Sequence, residues 1–175
     1  MAVGIVLGGG LSLELLEQRH ARELHELIVA NQERLARWET WAHGDVGVSA
    51  QVGYIAHCLR GFAEGRALQF VIRQHGELVG RCGLSLTPCL LTGDLGYWVD
   101  EDIEGSGVAR AACQALITEG FARGLARLEV HTDTTNLRSR ALAERLGFTL
   151  DGVLRNGGST GATRHDVALY GLLPG

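Results

Sequence analysis

A mixed α/β sheet with helices on both faces is the fold class this sequence predicts, and three observations predict it. Several short stretches alternate apolar and polar residues, the period-two signature of half-buried strands. Other stretches repeat apolar residues every three or four positions, as amphipathic helices do. The two kinds of stretch interleave along the chain, which is the pattern of layered α/β domains.

Leu11, Leu13 and Leu15 alternate with Ser12 and Glu14 and predict the first strand. Ala21, Leu24, Leu27 and Ile28 predict a helix from about Gln18 to Asn31. Leu35, Trp38 and Trp41 follow with weaker periodicity. A second helix is predicted from Ser49 to Ala63, with Ser49 as its N-cap and Val52, Ile55, Ala56 and Leu59 as its apolar stripe. Leu68–Arg73 and Leu78–Leu86 read as strands joined by the turn His75-Gly76-Glu77. Asp94–Val99 completes that meander after the loop 87–93. The loop 100–107 leads into a helix carrying Val108, Ala112, Ala115, Leu116 and Phe121, and Gly124 is its natural stop. Leu125–Thr132 is a strand, Leu137–Leu146 a short helix, and Gly147 a left-handed cap. Thr149–Arg155 and Asp166–Leu172 form a hairpin across the loop 156–165. The predicted order is β-α-α-β-β-β-α-β-α-β-β.

With 175 residues, 46% hydrophobic and 21% charged, the chain can pack a core and falls outside the disordered class. Its 2 prolines mark no linker, so residues 1–175 are read as one domain, with 1–10 as an extra N-terminal segment. The net charge of −4, from 16 basic and 20 acidic residues, builds no nucleic-acid surface. A mildly acidic protein instead attracts cationic partners such as amines. The 4 cysteines, Cys58, Cys82, Cys89 and Cys113, have no metal-ligand spacing and are read as free thiols. No apolar run approaches the roughly 20 residues of a membrane helix. Residues 1–10 lack the basic start of a signal peptide. A cytoplasmic protein without metal is therefore expected.

The stretch from Tyr97 to Arg110 carries most of the functional expectation. Gly105 and Gly107 stand at a strand-to-helix junction, where backbone N–H groups and the helix dipole converge on an anion such as a diphosphate. No Gly-Lys-Ser/Thr follows, so a Walker-type loop is excluded. The acidic run Asp100-Glu101-Asp102 suits a site in which main-chain amides do the binding. A rival cluster, Gly8-Gly9-Gly10 after the apolar run Val3–Leu7, would need a helix behind it to bind a dinucleotide. A strand pattern follows instead, with Leu13 where the third glycine belongs. Further on, Asn136 and Ser139 share one side of a helical first turn; capping alone explains Asn136.

The ordered set Gly96-Tyr97-Trp98-Val99, Glu104-Gly105-Ser106-Gly107-Val108-Ala109, Asn136-x-x-Ser139, Leu146-Gly147-Phe148 and Asp151-Gly152-Val153-Leu154-Arg155 resembles the GNAT acetyltransferases. Within them it resembles the RimJ/RimL-like group, which acetylates protein N-termini. Leu35–Trp41 is similar to the Leu-x-x-Trp-x-x-Trp segment near that group's acceptor site. The resemblance covers residues 11–173 and implies a GNAT fold whose central sheet splays between Val99 and the strand 125–132.

It further implies acetyl-CoA as co-substrate and direct transfer to an amine. Main chain at Trp98, Val99 and Asp100 would pair with the pantetheine and polarise the thioester. Glu104, Gly105, Ser106, Gly107, Val108, Ala109 and Arg110 would hold the diphosphate. Asn136 would hold the pantetheine and Ser139 would protonate or stabilise the leaving thiolate. Trp38 and Trp41 would wall the acceptor pocket, although tryptophans at this spacing are more often core. The acceptor would be a ribosomal or other protein N-terminus, and a homodimer is compatible with the resemblance.

Two departures stand out. Glu104 replaces the usual Gln or Arg of the loop, which predicts weaker coenzyme affinity. RimL-like members carry a glutamate, taken as the base, where this chain reads Asn156-Gly157-Gly158-Ser159. Glu129, His131 and Asp133 alternate on one strand face and are the replacement candidates, His131 foremost because it titrates in the useful range. His165 and Asp166 are further candidates. Three other readings stay open: a polyamine or aminoglycoside acceptor, a non-catalytic acyl-CoA-binding protein, and a dinucleotide protein using residues 8–10.

Overall fold

The computed structural model of the protein describes residues 4–175. Twelve elements follow in order: β1 (Gly4–Gly8), β2 (Leu11–Leu15), α1 (Ala21–Leu35), α2 (Val48–Ala63), β3 (Ala67–Gln74), β4 (Glu77–Thr87), β5 (Thr92–Val99), α3 (Val108–Ala122), β6 (Arg127–Asp133), α4 (Leu137–Arg145), β7 (Thr149–Thr160) and β8 (Thr163–Leu172). The strands form one 8-stranded sheet in the order β1-β2-β3-β4-β5-β6-β8-β7.

One strand was absent from the sequence reading. Gly4–Gly8 pairs antiparallel with Leu11–Leu15, and Gly8, Gly9 and Gly10 all take positive φ (85°, 59° and 76°). Only glycine turns a hairpin through three such residues at no steric cost. The segment is thus strand–turn–strand, which disposes of the dinucleotide alternative. Ile5 and Leu7 turn half-buried toward the core while Val6 on the other face is 86% exposed; with no polar residue between them, the run shows no alternation in the sequence. The apolar run begins at Val3, outside the described residues.

Several boundaries also differ, and most of the expected loop 156–165 is strand, because β7 continues to Thr160 and β8 starts at Thr163. Helix α1 runs one turn past Asn31 because Leu35 is a core residue at 2% exposure, and that extra turn carries Arg34. Ser49 is not an N-cap: α2 begins at Val48, with Gly47 in the cap position.

Two apolar layers cover the sheet. Leu84, Leu95, Leu128 and Tyr170 pack against Ala112 and Leu116 of α3 and Leu142 of α4. Val71, Leu78 and Trp98 pack against Leu24 and Ile28 of α1 and Ile55 of α2. Each fully buried Leu or Ile contributes roughly 1.5–3 kcal/mol. Tyr170 is sealed, and its hydroxyl donates to Glu144 Oε1 at 2.9 Å and accepts from Arg140 Nε at 3.1 Å. That fixes β8 to α4.

The feature that makes a site lies in the middle of the sheet. Strands β5 and β6 run parallel but pair only at Thr92–Asp94 with Arg127–Glu129. Beyond Asp94 both continue, to Val99 and Asp133, without each other. The sheet therefore opens into a wedge.

Among the described residues, no helix is long and apolar enough to cross a membrane. Cys58, Cys82 and Cys113 are buried, Cys89 is exposed, and all are free thiols.

Candidate active site

The wedge is a cleft of ≈ 890 Å³. Side chains alternate along β5, so Leu95, Tyr97 and Val99 face α3 and α4 while Trp98 faces α1 and α2. The cleft thus has two sides of different construction.

On the α3 side, Gly105 and Gly107 hold φ of +78° and +90°, conformations that β-carbons disfavour. They turn the chain so that α3 starts facing the cleft. The first intrahelical bond is Ala111 N–H to Gly107 C=O at 3.0 Å. The amides of Gly105, Gly107, Ala109 and Arg110 take no backbone acceptor among the described residues. Free N–H groups at a helix start are what a diphosphate needs.

Glu104, at the head of this loop, is not a bare charge. Arg34 Nη1 donates to it at 2.9 Å and Arg138 Nη1 donates to its other oxygen. Arg34 also donates to Val99 C=O at 2.6 Å and to Asn31 Oδ1 at 2.9 Å. Buried Asn31 in turn donates to Asp100 Oδ1 at 3.1 Å and accepts from Glu101 N–H at 3.0 Å. Helix α1 therefore clamps the loop, and two guanidinium groups offset the carboxylate. Partners 70 and 34 residues apart in sequence leave no spacing signal, so the sequence reading missed Arg34 and Arg138.

The strand end refines another expectation. Asp100 N–H is spent on Val79 C=O at 2.8 Å. Antiparallel pairing alternates inward and outward groups, so Trp98 also turns its backbone to β4, opposite Arg81. Of the three predicted backbone partners for the pantetheine, Val99 is the one turned away from β4; its C=O accepts from Arg34, which leaves its N–H for a ligand.

At α4, Asn136 Oδ1 accepts from Ser139 N–H at 3.1 Å. The capping role is real, and the side-chain amide N–H of Asn136 is the part left for a ligand. Ser139 is half-buried and lines the cleft. Beside it stands Tyr97, whose phenol burial pushes up to about 12 while the neighbouring Ser139 side chain opposes the rise. In the sequence Tyr97 stands only within the motif Gly96-Tyr97-Trp98-Val99, with no role of its own.

The α1 side is made of side chains. Trp38 and Trp41, 38% and 36% exposed, line the cleft and are not core. Trp98 behind them is core, with its ring 6.4 Å from that of Trp41. Thr40 Oγ1 donates to Ser159 C=O and ties this turn to β7.

His131 lines the cleft with Nδ1 3.0 Å from Asp94 Oδ1 and Nε2 3.7 Å from Glu129 Oε2. Its hydrogen bond to Asp94 raises its pKa, and partial burial opposes. Glu129 itself is engaged by Arg127 at 2.7 Å. His165 is held at both ring nitrogens, by Asp133 at 3.2 Å and Thr160 Oγ1 at 3.1 Å. Asp166 accepts from Asn156 N–H at 2.8 Å and takes no part in the cleft lining. A β-carbon on Gly158 would meet His165 Cε1 at 2.4 Å. The imidazole of His165 therefore fills the space that a side chain at 158 would need. Among the described residues no group of His, Cys, Asp and Glu could hold a metal ion.

A profile described as "Acetyltransferase (GNAT) domain" matches residues 11–149. The chain is 32% identical over 166 residues to YdaF of Bacillus subtilis (strain 168), provisionally named a ribosomal N-acetyltransferase, covering 93% of this chain and 91% of that one. It is 29% identical to the ribosomal-protein-serine acetyltransferase of Escherichia coli (strain K12), covering 97% and 96%. Among solved structures, RimL, a ribosomal L7/L12 α-N-protein acetyltransferase in complex with coenzyme A, superposes at a TM-score of 0.94 with 25% identity, covering 98% of each chain. The microcin C7 self-immunity acetyltransferase MccE, bound to acetyl-CoA and AMP, superposes at 0.93 with 25% identity, covering 98% and 96%. The splayed strands, the glycine loop at a helix start and these matches agree: this chain belongs to the GNAT acetyltransferase family, and it is an N-acetyltransferase.

Proposed function

We propose that the protein transfers the acetyl group of acetyl-CoA to the α-amine at a polypeptide N-terminus. The observation that supports this most is the wedge itself. It sets free main-chain donors of the glycine loop on one side and a tryptophan-walled recess on the other, with the outward N–H of Val99 between them. The names of the relatives point the same way, because they act on ribosomal proteins.

When bound, acetyl-CoA supplies a thioester carbonyl to the wedge. Val99 N–H donates to that carbonyl oxygen; losing one such donor typically costs on the order of 10²–10³ in rate. His131 Nε2, which has no partner within hydrogen-bond distance, accepts the proton of the incoming amine. As the N–C bond forms and the C–S bond breaks, Ser139 hands a proton to the thiolate and regains one from water in the cleft, Tyr97 beside it holds the hydroxyl in place, and His131 returns its proton to solvent. The Trp38–Trp41 wall positions the amine, and positioning alone is worth up to about 7–11 kcal/mol.

His165 is the second reading for the base. The observation that favours it is its overlap with the side-chain space of residue 158, where RimL-like members place a glutamate. Both of its nitrogens are already engaged, so it would have to exchange Thr160 for the amine.

Thiol release from acetyl-CoA, measured against peptides with free N-termini, polyamines and aminoglycosides, tests the function. Turnover on peptides that disappears when their N-termini are blocked supports it. Turnover on small amines alone overturns the acceptor, and binding without turnover on any amine overturns the enzyme.

A further inference from the structure

We propose that Arg81 and Trp98 form a carboxylate subsite for the acceptor, in a second cavity behind the Trp41–Trp98 wall. The proposal rests on the acetyl-transfer reading and goes on to name the class of acceptor: an amine that carries a carboxylate close by, such as an acidic residue at or next to a peptide N-terminus.

The cavity measures ≈ 170 Å³; Asp45, Gln51, Tyr54 and Arg81 are its polar lining, and Trp41 and Trp98 are shared with the main cleft. Its walls are mostly apolar. Trp98 is 7% exposed, and its Nε1–H is sealed from solvent with no hydrogen-bond partner among the described residues. A buried donor left without an acceptor is costly and rare. The missing partner is an acceptor, and anions are the strongest acceptors.

Arg81 supplies the charge. It lies opposite Trp98 across the β4–β5 pair, on the same face of the sheet. Its guanidinium stacks 4.5 Å over the Tyr54 ring. It forms no ion pair among the described residues, and the charge of Glu39 acts on it only from beyond ion-pairing distance.

The two carboxylates nearest the cavity already accept hydrogen bonds, and neither reaches Arg81. Glu39 accepts from Trp41 Nε1 at 2.8 Å, and Asp45 accepts from Gly47 N–H at 2.8 Å. Gln51 donates to Val46 C=O at 3.2 Å. One cation, one orphaned N–H and a small volume fit a singly charged planar carboxylate. A phosphate would bring more charge than one guanidinium offsets.

The experiment uses the full chain. Peptides with Asp or Glu at positions 1 and 2, matched peptides with Asn or Gln, and free aspartate and glutamate are compared as acceptors. The acidic acceptors should exceed their amides by about 10–100-fold in kcat/KM, the range for a hydrogen bond to a charged group. Peptides and free amino acids reveal whether the carboxylate comes from a protein or a metabolite. In Arg81→Gln the ratio should collapse toward one, and in Arg81→Lys it should fall in between. If Arg81→Gln does not fold, Trp98→Phe keeps the ring, removes the donor and should cut the ratio several-fold.

Independently, glutarate titrated against the tryptophan fluorescence of the wild type should saturate, and should not do so in Arg81→Gln. Amines acetylated without acidic preference and without glutarate binding would overturn the subsite and leave the transferase standing. Arg81-dependent glutarate binding in a protein that acetylates nothing would keep the subsite and overturn the transferase.

Discussion

The two sides of the cleft are built by different means. The side proposed for the coenzyme uses main-chain groups: Gly105 and Gly107 at positive φ and the unpaired amides of the first turn of α3. The side proposed for the acceptor uses side chains from separate elements: Trp38 and Trp41 after α1, His131 on β6, His165 on β8 and Arg81 on β4. Main-chain recognition depends on where glycine is permitted, and a small set of residues in one run encodes it. Side-chain recognition depends on which strands become neighbours. The first construction can serve one invariant co-substrate, while the second can change acceptor without disturbing the fold.

The comparison breaks most visibly at His131. His131→Asn should lower kcat/KM by about 10²–10⁴-fold while leaving the acetyl-CoA Kd alone. The Asp94 bond raises the imidazole pKa above 6.5, so wild-type activity should climb as pH rises through that raised value. A limb that persists unaltered in the variant removes His131 as base and turns attention to His165.

Ser139→Ala should cost about 10²-fold in kcat, again with little change in coenzyme binding; unchanged turnover removes it from the mechanism. Smaller still is Glu104→Gln. Arg34 and Arg138 would be released from the carboxylate, and one negative charge would leave the diphosphate site. Acetyl-CoA should bind roughly 3–10-fold more tightly, less so at high salt; calorimetry across ionic strengths checks this. The smallest effect is expected from Asp94→Asn, which should shift the pH–rate limb to lower pH without abolishing activity.

Much of the fold was legible in the sequence because period-two and period-3.6 patterns report a buried face. Gly124 and Gly147 do close their helices with φ of +86° and +92°. The edge strand Gly4–Gly8 was not legible because its exposed face carries Val6 and glycines instead of polar residues, which hides the alternation with half-buried Ile5 and Leu7. Of the proposed site, Gly105–Arg110 and Ser139 lie in contiguous motifs that the sequence displays locally. The Arg34–Glu104–Arg138 bridge, the His165–Asp133 pair and the Arg81 cavity are not legible there, since each joins elements that only the sheet order β4-β5-β6-β8 brings together. The Trp pair misleads at its helical spacing. Helix α1 ends at Leu35, so Trp38 and Trp41 leave the helix and face the cleft.

Calorimetric titration of acetyl-CoA into the wild type and into Gly107→Val tests the central claim most directly. Saturable binding is predicted for the wild type. In the variant a β-branched residue is strained at φ +90°, and binding should weaken by about 10-fold or more. Equal affinity in both proteins, or no binding in either, would contradict a coenzyme held by the main chain of this loop.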